Sequence, residues 1–133
     1  MEYSIYAMCI PYPGFSSSLA KISHLYLLFK NDINNKKLYW FKIQTFKTVL
    51  LSKISNFLVL RQNDYPFLKN DSILDLSKVF VVNNKDIKCW DNLLKVKNVK
   101  VPNLNNISLT DIEENVLNFE SLLSLNKELI KNN

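Results

Sequence analysis

The sequence predicts a single, mainly β domain: a small barrel or curled antiparallel sheet closed by a C-terminal α-helix. Three observations point there. Apolar and aromatic runs of strand length succeed one another through most of the chain. Clusters of Asn, Asp, Pro and Ser punctuate them, and only the last segment carries helical spacing. At 133 residues the chain, 1–133, is long enough to bury one core and too short for two independent ones. Strands followed by one helix favour a sheet that curls and is closed by that helix.

Each element follows from its own stretch of sequence. Residues Tyr3 to Ile10 are apolar and aromatic, with the length of a strand. "PYPGFSSSLAK" then breaks every pattern with two prolines, the single glycine Gly14 and three successive serines, and reads as a loop ending in Lys21. "SHLYLLFK" resumes as a second, mostly apolar strand, "NDINNKK" is a turn by composition, and "LYWFKIQTF" is a third strand. "LLSKISNFLVLRQ" fits a short helix or a loop, followed by a strand at Phe57 to Arg61. A polar loop leads to a short strand or turn at Ser72 to Leu76 and a strand at Lys78 to Val82. "KDIKCWDNLLKVKNVKVPNLNN" is only weakly patterned.

The helix is expected over about residues 110–131. Thr110 and Glu113 have the spacing of a capping box, in which each side chain satisfies a backbone donor of the first turn. Ile112, Val116, Phe119, Leu123 and Ile130 follow at helical spacing, with Leu122 and Leu129 widening the apolar stripe. Glu113 and Glu114 suit the positive end of the helix dipole.

Composition narrows the function classes. No apolar run reaches the roughly 18 to 20 residues of a membrane helix, and the opening "MEYSIYAMCIPYPG" lacks the pattern of a signal peptide. A cytoplasmic protein without membrane association is expected. Cys9 and Cys89 fit no paired zinc spacing and read as reduced thiols. The net charge of +5 makes an anionic partner plausible. Arg61 is nevertheless the one arginine among many lysines, and the abundance of Asn, Ile and Lys is what an AT-rich genome produces by codon bias. Charge therefore decides nothing alone.

Most catalytic sets are absent. His24 is the only histidine, so two-histidine metal sites are excluded, and one glycine allows no Gly-rich phosphate loop. Asp64, Asp71 and Asp75 lie in loop-like surroundings and read as solvated; no metal or other cofactor is expected. What remains is cleavage of RNA by its own 2′-hydroxyl, which needs a base, cationic donors on the phosphorane oxygens and an acid for the leaving 5′-oxygen. The loop carrying Tyr12, Phe15, Ser16, Ser17, Ser18 and Lys21, with His24 at its exit, holds suitable groups. So does the strand end carrying Gln44, Thr45, Phe46 and Lys47. The competing reading of each is structural: a solvated strand rim, an ordinary loop and a packed histidine.

The order of these segments resembles the MazF/PemK toxins, small SH3-like barrels of type II toxin–antitoxin systems that act as endoribonucleases. "IYAMCIPYPGFSSSLAKISHLYLLF" is similar to their opening strand, loop and second strand. "LYWFKIQTFKT" resembles the strand that brings a polar or hydroxyl residue to the active groove, and "DSILDLSKVFVV" their later block. Members usually place an arginine, often followed by proline, where this chain reads Lys21, Ile22, Ser23, His24. Lysine offers a point charge there in place of a bidentate fork.

The resemblance implies a metal-independent endoribonuclease acting on single-stranded RNA. It assigns catalysis to Lys21 or His24 together with Thr45. Tyr12, Phe15, Ser17, Ser18, Gln44, Phe46 and Lys47 would line the RNA groove, with splayed bases stacking on the aromatics. It also implies a homodimer and a cognate antitoxin whose acidic tail competes with RNA for the lysines. The alternative is a non-catalytic module on the same barrel, either a CcdB-like gyrase poison or a basic adaptor.

Overall fold

A computed structural model describes residues 2–8, 24–83 and 94–116 of the chain. Among them are eight strands: β1 (Glu2–Met8), β2 (His24–Asp32), β3 (Lys37–Thr45), β4 (Phe57–Leu60), β5 (Ser72–Asp75), β6 (Lys78–Asn83), β7 (Leu94–Lys100) and β8 (Glu113–Val116). A one-turn helix, α1 (Thr48–Leu51), follows β3. The strands form one sheet in the order β4-β5-β3-β2-β1-β7, with β6 attached to β3 and β8 to β6. All its ladders are antiparallel except β6–β8, and the sheet curls into a half-barrel.

Local chemistry explains the curl. β2 and β3 are joined at Ile33–Lys36, where the Asp32 carboxylate accepts from the Asn35 backbone N–H at 3.2 Å and from its side-chain amide at 2.8 Å. Lys36 takes the left-handed backbone, φ 54°, that closes the turn. The β2–β3 register shifts between Leu28 and Lys30, and the β1–β7 register shifts opposite Ile5 and Tyr6. Such bulges bend a strand and strengthen its twist. The largest irregularity lies on the outer edge of β3. Between Trp40↔Phe80 and Ile43↔Leu74, β3 passes two residues, Phe41 and Lys42, while the facing chain passes five, Asp75 to Val79. β5 and β6 thus share one edge of β3 and part at a corner.

Alternation along the strands makes two faces. One carries Tyr3, Ile5, Leu27, Phe41, Ile43, Leu74, Val79 and Val81, and is closed by Leu68, Val101 and Leu104 from the connecting segments. The other carries Tyr6, Tyr26, Trp40 and Phe80, with edge-on ring contacts between Tyr6 and Trp40 at 5.4 Å and between Tyr26 and Phe80 at 5.7 Å. Tyr26, Trp40 and Phe80 are buried there. No helix among the described residues is long and apolar enough to cross a membrane.

The mainly β expectation holds, with two corrections. The capping box does not form: Thr110 lies inside a 3-10 turn, Leu109–Asp111, and its N–H is taken by the Ser108 hydroxyl at 3.4 Å. Glu113 to Val116, expected as the first turns of the helix, instead run parallel to β6, with Glu113 opposite Lys78. The vacant edge of β6 outcompetes the local helical preference of this segment. The remainder of the expected helix, residues 117–131, lies outside the described residues, as do Cys9 and Cys89. The second correction is β7, a strand in the segment whose pattern is weak. Val96 occupies the bulge position of β7 and is exposed, while Val99, opposite Tyr3, is buried; the valines stand three apart and mark no alternating stripe.

Candidate functional site

The polar residues of interest gather on the Tyr6–Tyr26–Trp40 face. His24 opens β2, half-buried and opposite Met8 of β1. The β2–β3 ladder pairs Leu25 with Ile43 and Tyr26 with Lys42, and the same register continued one step sets His24 across from Gln44. Tyr6 of β1 pairs with Tyr26 in turn. His24, Tyr26, Lys42 and Gln44 therefore share one face, with Lys42 diagonal to His24, a spacing of roughly 7–8 Å between such cross-strand neighbours.

Lys42 is the member outside the predicted site residues. It sits mid-strand between the buried Phe41 and Ile43, which point to the opposite face, and is itself half-buried. Burial pushes its amine below the usual lysine range, and the negative charge of Asp75 partly restores it. Asp75 ends β5 at the corner facing Lys42, and both the Ser77 N–H and the Ser77 hydroxyl donate to its Oδ1. That double bond to the turn fixes the carboxylate at the corner. His24 is lowered below the ordinary imidazole value, first by burial and second by the positive charge of Lys42. Both effects favour the neutral imidazole over the protonated ring.

The predicted site residues are not all brought together. Thr45 is exposed at the end of β3, opposite Ser72, and by alternation projects to the face opposite His24 and Gln44. Phe46 extends the ladder, its N–H donating to the Asp71 carbonyl at 2.8 Å, and is half-buried. Lys47 is exposed at the start of α1. Tyr12, Phe15, Ser17, Ser18 and Lys21 lie outside the described residues. Of the predicted catalytic and groove residues that are described, the sheet joins His24 with Gln44 and separates both from Thr45. No protein-family model, curated protein or solved structure matches this chain.

Lys42 and Tyr26 are not among the predicted catalytic or groove residues. A usable signal was present in "YWFKI": a lysine flanked on both sides by residues that the strand must bury. Asp75, expected to be solvated, is half-buried and bonded to Ser77. Asp71 is likewise engaged, accepting from the Gln62 N–H at 2.8 Å and from the Arg61 guanidinium at 3.3 Å. Among the described residues no group of three or more potential ligands is placed to hold a metal ion.

Proposed function

We propose that this chain is a toxin-like, metal-independent endoribonuclease that cleaves single-stranded RNA and is neutralised by a cognate antitoxin, on an SH3-like barrel of the MazF/PemK kind. The observation that carries the reading is His24: a half-buried imidazole, its pKa lowered by burial and then by Lys42, set beside Gln44 on one face of the sheet. Such a ring can take the proton of a 2′-hydroxyl. The freed 2′-oxygen attacks the adjacent phosphorus and the bond to the 5′-oxygen breaks, the proton taken by His24 being returned through solvent to that oxygen. The products are a 2′,3′-cyclic phosphate and a 5′-hydroxyl.

The resemblance supplies the rest of the reading. Lys21 stabilises charge on the phosphate, bases stack on Tyr12, Phe15 or Phe46, and Ser17, Ser18 and Lys47 contact the backbone. A homodimer and an antitoxin with an acidic tail belong to the same proposal. A second reading, a non-catalytic toxin or binding module, is favoured by one observation: Thr45 and His24 occupy opposite faces.

Incubation of a long single-stranded RNA with the protein in EDTA, beside His24→Gln, Lys21→Ala and Thr45→Ala variants, tests both. Discrete ends bearing 2′,3′-cyclic phosphate, lost in His24→Gln, support the nuclease. Intact RNA together with growth arrest on expression supports the binding module.

A further inference from the structure

We propose that His24 and Lys42, with Gln44 beside them, form a binding site for a phosphate group, whether a phosphomonoester or a diester of RNA. The site deepens the nuclease reading and rests on it only for the identity of the diester. Neither Lys21 nor Thr45 is needed to build it.

The argument is geometric first. His24 and Gln44 occupy one cross-strand row and Lys42 the next, all on one face of β2 and β3. Three nitrogen-bearing side chains thus share adjacent positions on one face: an imidazole, an ammonium and a carboxamide, each of a type that can donate to an oxyanion. The ladder fixes their backbones, so little ordering remains to be done on binding.

The electrostatics supply the driving force. Lys42 disfavours the positive charge of His24, and burial penalises the charge of both. An anion between them reverses that balance, because it favours the protonated imidazole and the ammonium at once. Among the described residues, the other charged or titratable groups on this face are Tyr6 from β1, Tyr26 from β2, Asp75 from β5 and Lys78 from β6. Asp75 is the one acid of the set, and the Ser77 N–H and hydroxyl hold its Oδ1 at the corner. The set is net basic.

His24 is the only histidine, so its ring resonances report on this site without ambiguity. The experiment is an NMR pH titration of His24 in the full chain, with inorganic phosphate or chloride at matched ionic strength. A second arm uses an uncleavable 2′-O-methyl RNA oligonucleotide. The expected result is a rise of the His24 midpoint with phosphate, and binding about tenfold weaker in Lys42→Met, the loss of one charge-assisted hydrogen bond. Lys42→Arg, which keeps the charge, should retain the rise and guards against a folding artefact. A midpoint indifferent to both ligands, or one that rises equally in Lys42→Met, overturns the site. A response to phosphate with RNA left uncleaved sustains the site while the nuclease reading fails. Cleavage of RNA with His24 unresponsive to both ligands rejects the site alone.

Discussion

Tyr26 and Lys42 face each other across the β2–β3 ladder, which places an ammonium next to a tyrosine that is only 1% exposed. Burial lowers the Lys42 pKa, so the fold is penalised while the amine is charged. That penalty is fully present below the folded pKa and disappears as pH rises toward the ordinary lysine value of about 10.4. Lys42→Met, which keeps the stem and removes the charge, is expected to unfold at an equal or higher urea concentration than wild type at pH 7. The advantage should shrink toward pH 10. A lower midpoint at pH 7 would mean that attraction to Asp75 and the lost contacts outweigh desolvation.

His24 gives a pH dependence of definite sign. Its folded pKa lies below the unfolded value, chiefly through burial and then through Lys42. Between the two pKa values the unfolded chain binds more protons, so stability rises with pH. Acidification from about pH 6.5 downward therefore costs stability, and the loss ends below the folded pKa. His24→Gln removes this contribution. The difference in urea midpoint between wild type and variant, measured at pH 7.5 and pH 5.5, should move against wild type at the lower pH.

The strands were legible where the two-residue period survives and illegible where a bulge or a partner overrides it. β2, β3 and β6 follow directly from runs such as "HLYLLFK" and "KVFVV". β7 escaped because its valines, Val96 and Val99, stand three residues apart and Val96 falls at a register shift, so no two-residue stripe appears. Ile112 to Val116 keep a helical period yet lead into β8, since their neighbours in space are β6 residues that the sequence order does not announce. The same limit applies to the site. His24 and Gln44 are candidates by residue type, but their alignment depends on the β2–β3 register, and the charge of Asp75 acts on Lys42 from the corner at Ser77. Thr45 illustrates the converse: adjacent to Gln44 in sequence, it belongs to the other face.

Asp75 separates two effects that alanine would merge. Asp75→Ala removes the acceptor for both Ser77 donors and should cost about 1.5–3 kcal/mol, as for hydrogen bonds to a charged group. Asp75→Asn keeps an acceptor at the corner and removes the charge that supports Lys42. Its stability loss should be smaller, while the Lys42 pKa falls further. Denaturant unfolding combined with NMR titration of Lys42 distinguishes the two. Equal losses in both variants would show that charge, and not the bond to Ser77, holds the corner.

Phe41 tests the shared core directly. It is 0% exposed, its ring meets Phe29 edge-on at 5.0 Å, and Phe29 in turn stacks on Tyr3 at 6.2 Å. Phe41→Ala should cost about 3–5 kcal/mol, a large part of the roughly 5–15 kcal/mol available to a domain of this size. The exposed Thr45, four residues on, should tolerate alanine within about 0.5 kcal/mol. Urea unfolding of both variants measures the contrast. If Thr45→Ala were as damaging as Phe41→Ala, residue 45 would be packed against the core, and its placement at the open end of β3 would be wrong.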